Sequence, residues 1–261
     1  MQIDFYEEFP KKENLEKLKL VKWKTRVFVA AKSLEEFRKL ERQAKKIKKN
    51  AEVAYWPIIP GSYWISPFSN AQDLKETFRE LDSVKDRLLI DLELPLKNKI
   101  LFIKNIFAFR KNKRLIRRFL EKNRERVTTA EYPFSLAKFV ADILGLRYKG
   151  GHEKSIMWYT SMLPRWVVEK SKKEFGKIKD LKEYSVSLGT IDIGIMGDEP
   201  ILSPESLEKD LEFCKSCGFK KVIIFRLSGI NGKYIKVLEK FAIEEKLAVK
   251  TSKRRLKARE P

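Results

Sequence analysis

The chain has 261 residues, 57 Lys and Arg against 36 Asp and Glu, and a formal net charge of +21. With 43% hydrophobic residues it can bury a full core, and its length suits either one large barrel or two small domains. It carries no apolar run of about eighteen residues and no charged-then-apolar leader, which predicts neither a membrane span nor a signal peptide, and hence a cytoplasmic location.

The elements alternate from the start. Met1 to Tyr6 is a short extended run, followed by a helix over Lys12 to Leu20. Arg26 to Ala31 reads as the second strand. Ser33 then caps a helix to about Lys48, with Glu36 at capping-box spacing. Glu52 to Pro57 is the third strand, with an aromatic loop from Ile58 to Ser69 and a helix from Ser69 or Asn70 to Leu81. The fourth strand is Arg87 to Pro95, and a long amphipathic helix over Asn98 to Asn123 follows it.

Arg126 to Tyr132 is the fifth strand, with a helix from Ser135 to Leu144. Ser155 to Thr160 is the sixth, and Pro164 opens a helix to Phe175. Tyr184 to Thr190 is the seventh, and Ser203-Pro204 starts a helix that ends at Gly218. Lys221 to Leu227 is the eighth, and Asn231 to Lys246 the last helix. Eight strand–helix units in this length predict a single (β/α)8 barrel over residues 1–248, with a basic tail over 249–261 outside it.

The remaining composition carries smaller expectations. Abundant Lys and Glu, scarce Gln and a single His resemble the balance of heat-adapted proteins. The stretch Lys104 to Arg126 holds ten basic residues against two acidic, which makes nucleic acid a conceivable partner. No nucleic-acid motif accompanies it, so solvated helix faces are the better reading. Cys214 and Cys217 form a C-x-x-C that closes a helix instead of opening one, which favours a structural role. Neither a metal site nor a cofactor is expected, and the oligomeric state is not legible.

Barrel chemistry gathers at the carboxyl ends of the strands. There the chain places Tyr6, Glu7 and Glu8 on strand one and Trp56 on strand three, with Tyr63 and Trp64 in the following loop. Strand four contributes Asp91 and Glu93, strand five Glu131 and Tyr132, and strand six Tyr159. Thr190, Asp192, Asp198 and Glu199 follow strand seven, and strand eight brings Arg226 and Ser228. Asp91 and Glu93 are two apart, so they share a face. Aromatic rings stack on sugar faces, and cleavage of a glycoside needs one protonated and one ionised carboxyl group. The expected activity is glycoside hydrolysis, with Glu93 as acid, Asp91 orienting it or the substrate, and Glu131 as nucleophile or base. Tyr6, Trp56, Asp192, Glu199 and Arg226 are expected to hold the sugar.

Two short motifs carry a resemblance. The chain has Asp86, Leu89, Asp91 and Glu93 at the spacing of D-x-x-D-x-D-x-E, and Met157, Trp158, Tyr159 and Thr160 where M-x-Y-D would stand. This resembles the chitinase-like glycoside hydrolases of family 18, with Leu89 and Thr160 replacing acids of the pattern. The resemblance implies that Glu93 donates the proton, Asp91 positions a substrate acetamido group and Tyr159 bonds to it.

Two other readings stand beside this one. Ser228, Gly229 and Gly232 span the loop from strand eight to its helix, where many barrels hold a phosphate on backbone N–H groups; this predicts a sugar-phosphate lyase or isomerase. The second is a non-enzymatic basic barrel that binds RNA or a protein. His152, in the loop entering strand six, is expected at the surface.

Overall fold

The computed structural model describes residues 1–95, 98–133, 138–178 and 180–242. Eight parallel strands close a barrel in chain order: β1 (Gln2–Glu7), β2 (Arg26–Ala31), β3 (Glu52–Pro57), β4 (Leu88–Asp91), β5 (Val127–Glu131), β6 (Glu153–Met157), β7 (Tyr184–Gly189) and β8 (Lys221–Phe225). Around it lie α1 (Lys12–Glu16), α2 (Leu34–Ile47), α3 (Ala71–Asp82), α4 (Ile100–Lys104), α5 (Phe109–Lys122), α6 (Lys138–Leu144), α7 (Arg165–Phe175), α8 (Pro204–Ser216) and α9 over 232–242. The fold is the expected (β/α)8 barrel. The tail over 249–261, the end of the last helix and the start of the helix at Ser135 lie outside the described residues.

The helix starts are chemical. Ser33 accepts the Glu36 N–H at 3.2 Å, Asn70 that of Gln72 at 2.8 Å, and Ser203 that of Ser206 at 3.2 Å, each satisfying a donor that the helix cannot. α8 ends with Cys214 buried and Cys217 at its cap, both free thiols. Among the described residues no helix is long and apolar enough to cross a membrane.

Strand alternation builds two cores. Inside the barrel, Tyr6, Phe28, Trp56, Leu89 and Ile223 pack against one another. Between barrel and helices, Phe5, Val27, Tyr55, Ile90 and Trp158 form the larger cluster with the helical side chains. Trp158 is fully buried against Phe175 of α7 and Phe213 of α8. At the bottom, Arg26 pairs with Asp4 and Glu52 and closes the barrel with ions.

Three elements depart from expectation. The helix over 98–123 is broken between α4 and α5, where the Asn105 side-chain amide donates to the Phe68 carbonyl at 3.0 Å; such side-chain bonds compete with helical ones. β6 begins two residues early, at Glu153. Its polar start is tolerated because Lys221 pairs with Glu153 and Glu183 with Lys154. β4 stops at Asp91, whose carbonyl turns to the Ile65 N–H of the β3–α3 loop.

Candidate active site

β4 aims the site. Leu89 and Asp91 point inward, and Glu93, just past the strand, keeps the same face; all three line one cleft of about 290 Å³ at the carboxyl end of the barrel. Asp91 and Glu93 interact directly, each acting on the ionisation of the other. Tyr132 donates to Glu93 Oε2 at 3.0 Å. Among the described residues Asp91 Oδ1 has no partner.

Electrostatics follow from burial. Removal from water is the largest influence on both groups and disfavours their charged forms. Asp91 is held well above the usual carboxylate range, with the charges of Glu93 and Glu8 adding to the effect. Glu93 is pushed up to about 7, while the bonds from Tyr132 and Asp91 oppose the rise. One carboxyl of the pair therefore remains protonated at neutrality.

The walls are aromatic. Trp56 stands 5.7 Å from Tyr6 between ring centres, and Tyr159 stands 5.6 Å from Phe225. The Tyr6 hydroxyl reaches the Ser187 hydroxyl at 3.0 Å, which satisfies it at the base of the cleft. Trp64 lines the rim from the β3–α3 loop. Among the described lining residues there is no Lys, Arg or His.

Two further acids enter the cleft. Glu199 accepts the N–H groups of Met196 at 2.9 Å and Gly197 at 3.0 Å, so its own loop holds it in place. Glu8 is 5% exposed and accepts the Tyr63 hydroxyl at 2.7 Å. Burial pushes it up to about 7. Glu8 was not among the expected ligands, although its two-residue spacing from the inward Tyr6 is a signal that could have found it.

Other expected residues lie elsewhere. Glu131 was expected beside Glu93, but Ala130 is the inward residue of β5 and Glu131 faces the helices. There it accepts the Thr129 hydroxyl at 2.9 Å, with Arg147 at 3.4 Å and His152 at 3.9 Å. His152 is therefore 1% exposed, contrary to its expected surface position. Arg226 donates to Glu7 at 2.9 Å and to the Ile193 carbonyl at 3.1 Å, and pairs with Asp192 at 3.1 Å. Neither Arg226 nor Asp192 lines the cleft.

The loop proposed for phosphate is internally occupied. The Ser228 N–H donates to Glu7 at 2.9 Å and the Gly229 N–H to the Arg226 carbonyl at 3.2 Å. A Cβ on Gly229 would stand 2.0 Å from the Ile191 carbonyl oxygen, so the chains touch there. Gly232 opens α9 without lining the cleft. Asp86, the first motif acid, is 16% exposed at the opposite end of the barrel, bound twice by Arg38.

Comparisons agree with the fold. The chain is similar to the class V chitinase of Nicotiana tobaccum, with TM-score 0.54 and 10% identity over 90% of this chain and 97% of that one. It is also similar to the C-terminal domain of a candidate chitinase from Desulfitobacterium hafniense, with TM-score 0.60 and 11% identity over 92% and 98%. A family 18 chitinase from Cycas revoluta, solved with (GlcNAc)4, gives TM-score 0.53 and 8% identity over 91% and 98%. No known sequence family matches the chain, and no curated protein does. The chain thus shares the barrel fold of these chitinases.

Proposed function

We propose that the cleft hydrolyses a glycosidic bond next to an N-acetylated amino sugar. The observation that carries this reading is the Asp91–Glu93 pair, two interacting carboxyl groups inside one aromatic-walled cleft. Glu93 gives its proton to the leaving oxygen. With Glu131 turned away, β5 supplies no nucleophile, so the acetamido oxygen of the substrate attacks the anomeric carbon as the bond to the leaving group breaks. Asp91 orients that acetamido group and stabilises the positive charge that develops on it, and Tyr159 donates a hydrogen bond to its oxygen. Water then opens the cyclic intermediate, and Glu93, now ionised, takes a proton from that water and so regains its acid form.

Leu89 gives this site its own character. Where the resembling pattern has an acid beneath Asp91, a buried apolar side chain lies, so Asp91 is left to interact with the acids above it, Glu93 first. The chitinases of similar fold, one of them holding (GlcNAc)4, support the choice of substrate. The test is release of reducing ends from N-acetylglucosamine oligomers by the wild type and by Glu93→Gln. Loss of the acid should lower kcat by about 10²–10⁴-fold with the fold retained. Equal turnover by the two proteins would remove Glu93 from the reaction.

A further inference from the structure

The proposed reaction leaves two mouth carboxylates unused. Glu8 lies just past β1 and Glu199 sits in the β7–α8 loop, both across the barrel from β4. Their carboxylates converge: Glu8 Oε2 and Glu199 Oε1 lie 3.0 and 2.7 Å from where a Cβ on Gly194 would stand. Only a glycine fits between them. Tyr63 satisfies Glu8 Oε1, but Oε2 is buried and has no hydrogen-bond partner among the described residues.

A buried carboxylate oxygen without a donor costs free energy that a ligand can recover. No cationic side chain lines this cleft among the described residues, and the nearby Arg226 is held by Glu7, Asp192 and the Ile193 carbonyl. Among the described residues no three His, Cys, Asp or Glu side chains are grouped to hold a metal ion. A sugar hydroxyl could donate one hydrogen bond but would leave the charge uncompensated. An ammonium group supplies both donors and charge. The overall charge of +21 does little against a cation in the cleft, since salt screens distant charges beyond about 8 Å.

We propose that the Glu8–Glu199 side of the cleft is a subsite for a protonated amine carried by the sugar chain. The preferred substrate is then a partly deacetylated amino-sugar oligosaccharide, with an acetylated unit at Asp91 and Tyr159 and a free amine facing Glu8. That the amine is carried on a sugar rests on the glycosidase reading; the amine preference rests on these two acids.

Calorimetric binding to the Glu93→Gln protein separates the two. The half-deacetylated tetramer of N-acetylglucosamine should bind about tenfold or more tightly than the fully acetylated tetramer. Adding Glu8→Gln should abolish that preference, so that the two tetramers bind within about threefold of each other. Equal affinities, or a preference that survives Glu8→Gln, would overturn the subsite and leave the glycosidase reading standing. Failure of both tetramers to bind would end both. If Glu8→Gln does not fold, Glu199→Gln replaces it. The unaltered subsite offers a second readout: below about pH 6, where the amine is already an ammonium and Glu8 is still largely neutral, binding should ionise Glu8 and release protons, seen as a dependence of the heat on buffer. No release would count against the subsite.

Discussion

Tyr132→Phe removes one hydrogen bond and leaves the ring, so it tests how the cleft sets the acid. The Tyr132 hydroxyl donates to Glu93 Oε2 at 3.0 Å and stabilises the ionised form. A hydrogen bond to a charged group contributes about 1.5–3 kcal/mol, and 1.36 kcal/mol corresponds to one pH unit. Glu93 titrates at about 7, so its removal should carry the group upward by about one to two units. The sign follows from the role: Glu93 acts protonated, so turnover falls as pH rises through its pKa. In Tyr132→Phe that alkaline limb should move to higher pH. The assay is kcat/KM for an N-acetylglucosamine oligomer across about pH 4–10, supported by carbon NMR titration of Glu93. An unmoved limb, or one displaced toward acid, would refute the reasoning.

Glu131→Gln should leave oligosaccharide turnover unchanged, because its side chain lies behind β5 with Arg147 and His152, and kinetics on the purified variant check this. Arg226→Met should destabilise the fold by about 3–5 kcal/mol, since it strands the fully buried Glu7 carboxylate, and adding Glu7→Gln should restore much of the loss in denaturant unfolding. The empty cleft should make the protein less stable in alkali. Burial raises Glu8 above its unfolded value, so its contribution is present below about pH 4.5 and is lost as pH rises through about 7. The thermal midpoint should therefore fall between about pH 5 and pH 8.5, and Glu8→Gln should narrow that difference.

How far the sequence led depended on parity and distance. Apolar runs separated by capped helices were enough for the eight-stranded barrel. Asp91 with Glu93, and Met157 with Tyr159, share a face because the two-residue period carries past the strand ends into the cleft. Glu131 was misjudged by one position: it was counted as a strand-end acid, although the next residue back, Ala130, is the inward one. The pairing of Arg226 with Glu7 spans 219 residues, and no local pattern reports it. His152 likewise owes its burial to Glu131 on another strand. Asn105 breaks a helix through the carbonyl of Phe68, 37 positions away, which helical periodicity alone does not register.

Stereochemistry tests the central chemistry most directly. If Asp91 and Glu93 act with the acetamido oxygen of the substrate, proton NMR of the first products from a β-linked N-acetylglucosamine oligomer will show the β anomer before it equilibrates. Initial release of the α anomer, or no cleavage under conditions where the barrel is folded, would contradict the account.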